Sequence, residues 1–298
     1  MGKTILFGGS GLLGSTFLKC YPKIISVGRT KPMFGINNEH IHIDAISDLS
    51  VLDNMDIDNV VFLIGNSNHH ALNNNPFSLA FSYNYTPLQL ACNYFKDKNL
   101  KRLVCFTSVL LYGDKNKGRR VDEEDSLDGK FLNNYLSSKY LSEKLIATYT
   151  TIPSIIVRTS NIYGSTPLDR PDLVPTLVKD CITKDLPSVW SKLPIRDFIF
   201  ADDMADAVMR LINETNFCGA INIGSGNSYS VGNLCDTLEC FCNKKILDKG
   251  INVKGVSVFK TNISLLQKTL NGWNPKHTIV QGLEKTYNEM KTYLNGNN

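Results

Sequence analysis

Near its start the chain runs from Thr4-Ile5-Leu6-Phe7 straight into Gly8-Gly9-Ser10-Gly11-Leu12-Leu13-Gly14 and on into an amphipathic stretch. An apolar run, a glycine turn and a helix pattern in that order predict a strand feeding a helix, the unit of parallel sheets. Gly8 permits a tight turn, Gly11 lets a ligand approach the backbone, and Gly14 allows close strand–helix packing. The helix N-terminus adds free N–H donors and partial positive charge, which suits a pyrophosphate. Gly8, Ser10, Gly11, Leu12, Leu13 and Gly14 are therefore expected at a dinucleotide site. The spacing is G-x-x-G-x-x-G rather than G-x-G-x-x-G, and a plain turn can share it. The flanking strand and helix support the ligand-binding reading.

The alternation continues through the first half. Thr4–Phe7, Ile24–Val27, His40–Ile43, Val60–Ile64, Leu103–Thr107 and Ser154–Arg158 read as buried strands. Leu12–Tyr21, Phe77–Lys98 and Tyr135–Thr148 read as helices. The fold class expected is α/β: a doubly wound (Rossmann) parallel sheet with a smaller mixed α/β C-terminal lobe. After Gly164 proline and irregular pieces dominate, then Arg196–Phe200 reads as a strand and Asp202–Asn213 as a helix. Ala220–Ile223, Val231–Cys242 and Ile279–Leu294 follow as strand, helix and helix. Residues 1–163 and about 201–224 are assigned to the dinucleotide-binding domain, and about 164–200 and 225–298 to a substrate-binding lobe.

Composition excludes several classes. A formal net charge of +4 over 298 residues, with scattered Lys and Arg, gives no nucleic-acid footprint. The basic group 115–120 runs directly into acidic residues 122–125 and reads as a solvated loop. No run of 18 apolar residues is present, so no membrane span is expected. The first strand enters a glycine loop without a secretory pattern, which implies a cytoplasmic, reducing setting and free thiols for the 8 cysteines. Cys235, Cys240 and Cys242 lack the C-x2-C spacing, so no metal is expected.

A second constellation lies at Tyr135-Leu136-Ser137-Ser138-Lys139. At i and i+4 the phenol and the ammonium share a helix face. A free tyrosine has a pKa near ~10; a nearby ammonium and a nicotinamide cation would favour the phenolate. The same spacing also describes an ordinary surface pair, so the glycine turn gives it weight. The second strand ends Ser26-Val27-Gly28-Arg29-Thr30 with no carboxylate for a ribose hydroxyl. Arg29 could instead grip a 2′-phosphate, which favours NADP over NAD, or be an ordinary exposed arginine. Asp44 could accept from an adenine amino group or simply form a turn. His69 and His70 follow the fourth strand, face the cleft by topology, and read as loop residues without a task.

With the glycine turn, Tyr135/Lys139 and Thr107-Ser108-Val109-Leu110-Leu111-Tyr112-Gly113, the sequence resembles the extended short-chain dehydrogenase/reductase family, which includes nucleotide-sugar epimerases, reductases and dehydratases. The resemblance spans nearly the whole chain. It implies that Ser108 hydrogen-bonds the substrate oxygen, that Asn84 is the family's helix asparagine at the cofactor, and that Lys139 holds the nicotinamide ribose. Arg158-Thr159-Ser160-Asn161-Ile162-Tyr163-Gly164 is similar to the family's Arg-x-x-Asn-x-Tyr-Gly, which implies a substrate contact for Asn161. Arg196-Asp197-Phe198-Ile199-Phe200-Ala201-Asp202-Asp203 is similar to Arg-Asp-Phe-x-x-x-Asp-Asp, which implies that Arg196 meets the substrate pyrophosphate. Asn222–Gly226 and Asn271–Pro275 match two further family segments. Phe62-Leu63-Ile64-Gly65 departs from the usual His-Leu-Ala-Ala. Val109-Leu110 replaces the Asp-Glu of dehydratases, which argues against 4,6-dehydration.

Catalytic roles are thus expected for Ser108, Tyr135 and Lys139. The resemblance implies a nucleotide-diphosphate-sugar substrate. The preferred reaction is NADPH-dependent reduction of a 4-keto-6-deoxyhexose; the alternative is a 4-epimerase retaining NAD, and a non-catalytic dinucleotide sensor is the reading from another class. A homodimer is expected, with Leu90, Tyr94, Leu141 and Leu145 left over for a four-helix contact. The segment 169–190 should meet the base, and its sequence does not name that base.

Overall fold

The computed structural model describes residues 2–34, 37–113, 119–127, 133–148, 151–164, 171–252 and 257–296. Of the loop expected over 115–125, residues 115–118 lie outside the described residues, as do 169 and 170 of the base-facing segment, and Arg120–Val121 is a short strand paired with Lys260–Thr261 rather than loop.

Seven strands form the central sheet: Lys3–Phe7, Ile25–Gly28, His40–His42, Ile57–Phe62, Arg102–Ser108, Ser154–Thr159 and Gly219–Ile223. Numbered along the chain, their spatial order is third, second, first, fourth, fifth, sixth, seventh, and every pairing is parallel. The order reverses between the first and fourth strands, where an open parallel sheet leaves a crevice at its carboxyl edge. The strands can be nearly all apolar because helices cover both faces. One face carries Leu6, Phe17, Val61, Val104 and the helix Ala201–Glu214. The other carries Phe7, Val60, Phe95, Leu103 and Ile146.

A third core, built on Val174, Leu177, Leu234, Leu238 and Leu283, joins the helices Leu173–Thr183, Val231–Cys242 and Ile279–Gly296 beside the sheet's carboxyl edge. Among the described residues no helix is long and apolar enough to cross a membrane. No metal-ligating cluster occurs among them.

Several expected elements are redrawn. The fourth strand is Ile57–Phe62, displaced toward the N-terminus from the expected 60–64. The long helix expected over 77–98 is two helices, Phe77–Asn84 and Thr86–Phe95. Pro87 sits in the first turn of the second, where its missing N–H does no harm but where an unbroken helix would clash. The strand expected over 196–200 is also two. Ile195–Arg196 pairs antiparallel with Tyr229–Ser230, whereas Phe198–Phe200 pairs parallel with Asn161–Tyr163. His69 and His70 are not in a loop. They open the helix His69–Asn73, because the Asn68 side chain accepts from the Ala71 N–H at 3.0 Å and caps it.

Tyr94 and Leu145 are taken by the chain's own core rather than left for a partner. Leu145 is buried against the sheet, and Tyr94 packs on the same cluster and donates its hydroxyl to Asp53 at 2.8 Å.

Candidate active site

The glycine turn forms a cradle. Gly8 holds φ at +87°, a backbone that L side chains rarely adopt. A Cβ at Gly14 would overlap the Gly8 carbonyl oxygen, so the turn and helix meet only as glycines. Over Gly11 the space is open: a Cβ there would find nothing nearer than the Gly8 oxygen at 3.6 Å. Gly11 caps the helix Leu12–Cys20 without any side-chain hydrogen bond. The first-turn N–H groups therefore stay available, and the residues present fit a dinucleotide pyrophosphate. Ser10 is exposed at the tip of the turn, and Leu12 and Leu13 reach the cleft beyond it.

That cleft holds about 580 Å³. Ser108, Tyr135, His69, Asn161, Arg196 and Trp190 all line it. Ser108 ends the fifth strand, and its Oγ accepts from the Leu110 N–H at 3.1 Å. Tyr135 and Lys139 lie on the helix Asn134–Thr148. Its start is pinned by the His69–Asn73 segment: Tyr135 N–H donates to Asn73 Oδ1 at 3.2 Å, and Asn134 Nδ2 donates to the Leu72 and Asn75 carbonyls. The Lys139 ammonium donates to the Phe106 carbonyl at 3.1 Å, and its burial lowers the pKa from 10.5 to about 8. Asn84 is spent within the protein. Its Oδ1 accepts from the Asn66 N–H at 2.8 Å and its Nδ2 donates to Ser138 Oγ at 2.9 Å. It thereby ties the loop after the fourth strand to the Tyr135 helix.

Asn161 donates its N–H and Nδ2 to the Asp197 carbonyl, at 3.1 and 3.0 Å. Arg196 Nη1 donates to the Ile195 and Ser257 carbonyls at 2.9 Å each. No carboxylate pairs with Arg196 among the described residues, and burial lowers its pKa. Asp197 explains why these two residues hold their places. Its buried carboxylate accepts from Ser225 N–H and Oγ at 2.8 Å and from Gly226 N–H at 3.1 Å. The segments 196–198 and 222–226 are thus two halves of one structure. The acidic pair downstream clamps the C-terminal segment: Asp203 accepts from the Lys276 and His277 N–H groups, and Asp206 from Trp273 Nε1 at 2.9 Å.

Two features escaped the sequence reading. Arg158 is ion-paired with Glu143, and it also donates to Tyr112 Oη at 2.9 Å. Tyr112 in turn donates to Asn222 Oδ1 at 2.8 Å. This buried network locks the Tyr135 helix to the fifth, sixth and seventh strands. The second is His69, whose ring lies on Tyr135 with centroids 3.9 Å apart and planes 32° apart. Asn68 before Ala71-Leu72 was the available signal, as an N-cap pattern.

The family model for the NAD dependent epimerase/dehydratase family matches residues 4–224. The chain belongs to that family. UDP-glucuronate 4-epimerase of Thermodesulfobacterium geofontis is 26% identical over 81% of this chain and 75% of its own length. GDP-6-deoxy-D-talose 4-dehydrogenase of Aggregatibacter actinomycetemcomitans is 28% identical over 77% of this chain and 76% of its own. Among solved structures, UDP-glucose 4-epimerase from Bifidobacterium longum, in complex with NAD+ and UDP, superposes with a TM-score of 0.85. It covers 99% of each chain at 20% identity and shows the shared fold.

This epimerase/dehydratase-family protein is accordingly an NAD(P)-dependent enzyme of the nucleotide-sugar epimerase, dehydratase and reductase group. Just after the second strand Arg29 is exposed and makes no side-chain hydrogen bond or ion pair among the described residues. The Asp44 carboxylate is almost wholly exposed and meets His42 at 3.1 Å.

Proposed function

We propose that this enzyme interconverts a hydroxyl and a ketone at C4 of a nucleotide-diphosphate hexose, acting as an NAD-dependent 4-epimerase. The observation that carries the proposal is one cleft lined together by Ser108, Tyr135, Asn161 and Arg196. A hexose in that cleft would present its C4 oxygen to the hydroxyl and phenol, while its diphosphate reaches Arg196, a charge-assisted contact. A dinucleotide held by its pyrophosphate at the glycine cradle would supply the hydride acceptor and donor. Tyr135 takes the proton of the C4 hydroxyl as the ketone forms and returns it on reduction. Ser108 holds the same oxygen. The Lys139 ammonium favours the phenolate of Tyr135 through its charge. Apolar Val109 and Leu110 in the wall beside Ser108 give the hexose no fixed polar grip there, which leaves a 4-keto sugar room to present its other face.

NADPH-dependent reduction of a 4-keto-6-deoxyhexose is the second reading. Two features favour it: exposed Arg29 where an acidic residue would hold NAD, and the same Val109–Leu110 wall, which suits a methyl group. Mass spectrometry of nucleotides released from the purified enzyme separates the two. Tightly held NAD supports the epimerase. An empty protein that consumes NADPH with each turnover overturns it in favour of the reductase.

A further inference from the structure

Among the groups that line the cleft near Tyr135, several are already committed. Ser108 Oγ accepts from Leu110, Val109 and Leu110 are apolar, and the His70 ring meets Trp190 edge-on with centroids 5.5 Å apart. His69 differs. It is half-buried, it lines the cleft, and neither ring nitrogen makes a hydrogen bond with any described residue. Its position is fixed from two directions: the Asn68 cap sets the start of its helix, and the Tyr135 ring supports its face. A stack this close places the imidazole edge one ring thickness from the phenol. A ligand oxygen held at Tyr135 therefore has its nearest neighbouring oxygens within reach of that edge, given hydrogen bonds of about 2.7–3.2 Å.

We infer that His69 is a substrate-binding residue that reads the hydroxyl next to the reacting carbon of the sugar. This rests on the C4 reading above. C4 of a hexopyranose has one adjacent ring carbon that bears a hydroxyl, C3; the other, C5, carries the ring oxygen and C6. The hydroxyl read by His69 is therefore that of C3. Burial lowers the imidazole's pKa, partly offset by the charge of Asp172, so the ring is neutral near pH 7. A neutral imidazole offers one donor and one acceptor, which matches a hydroxyl that can do either. The contact would also fix which carbon faces Tyr135, because a sugar slid by one position leaves the imidazole without its partner. An unsatisfied group of this kind is what gives polar sites their selectivity.

The test uses binding, so it does not depend on turnover. UDP-glucose and GDP-mannose, each beside its 3-deoxy counterpart, are titrated by calorimetry into the full-length, NAD-loaded protein and into its His69→Phe variant. Phenylalanine keeps a flat ring on Tyr135 and removes both nitrogens. In the wild type the 3-deoxy sugar should bind about tenfold more weakly in at least one pair, the factor of one ordinary hydrogen bond. His69→Phe should bind the two members of that pair equally. A wild type that does not discriminate, or a variant that discriminates as well as the wild type, overturns the inference. The wild-type arm holds even if the variant folds poorly. If discrimination is found but Tyr135→Phe leaves turnover unchanged, the C4 mechanism falls while the contact stands. If no sugar in either pair binds, both fall.

Discussion

The Lys139 ammonium donates to the Phe106 carbonyl oxygen at 3.1 Å, beneath the strand end that carries Ser108. Burial there lowers its pKa to about 8, whereas an unfolded lysine titrates near ~10.4. Between these values the unfolded chain binds more protons, so this group's contribution to stability improves as pH rises through the window. Below pH ~8 its cost is fully present. Replacing Lys139 with Met should therefore help more near neutral pH than near pH ~10, by about 2–3 kcal/mol. Urea unfolding of both proteins at the two pH values measures it. Equal effects at both would mean that the amine is not strained.

Tyr135→Phe should lower kcat by ~10²–10⁴-fold, the usual contribution of an acid–base group. Dinucleotide affinity should stay nearly unchanged, since the cradle at Gly8–Gly14 is remote in sequence and built from backbone. Steady-state kinetics with a parallel cofactor titration checks both halves. Turnover within a few-fold of wild type would remove Tyr135 from the chemistry.

Arg196 has two carbonyl acceptors and no carboxylate partner among the described residues. If it meets the substrate diphosphate, Arg196→Ala should raise KM by about 10–150-fold, equivalent to about 1.5–3 kcal/mol, with a smaller change in kcat. An unchanged KM for the nucleotide sugar would release Arg196 from this role.

Glu143→Gln should destabilise the enzyme by about 3–5 kcal/mol, because it leaves Arg158 buried without its counter-charge. Because Thr107 also donates to Glu143 at 3.3 Å, the strand that ends at Ser108 should loosen with it. Denaturant midpoints report the first effect. A loss under about 1 kcal/mol would show that the pair is better solvated than its burial implies.

Arg29 tests cofactor choice. If the enzyme prefers NADPH, Arg29→Ala should remove most of that preference, since a bidentate guanidinium–phosphate contact would be lost. If NAD binds equally well before and after the change, Arg29 is a surface residue and the reductase reading loses its main support. Titration of both dinucleotides against both proteins decides this.

Local pattern carried much of the fold. Thr4–Phe7 and Gly8–Gly14 specify their strand and turn from adjacent residues alone, since the positive φ and close approach are backbone constraints a sequence displays directly. Val231–Cys242 keeps its expected bounds to the residue, and a complete capping box from Ser230 and Asn233 fixes its start. The segment at 196–200 was legible as extended chain, but its division at Asp197 was not. That division depends on Ser225 and Gly226, which reach the carboxylate only once the chain has folded back.

The sequence by itself determined a parallel α/β sheet, a glycine cradle and the placing of Tyr135 and Lys139 one turn apart on a single helix, all of which follow from residues within a turn or two of one another. Only the tertiary structure decided that Asn84 serves as a strut to Ser138, that Glu143 and Arg158 lock the Tyr135 helix to the sheet, and that His69 stacks on Tyr135. Each of these contacts spans many positions in the chain. Periodicity and spacing record which face a side chain presents, but not which distant side chain meets it there. That meeting is set by how helices and strands pack, and burial then fixes the charge and hydrogen bonding of the groups brought together.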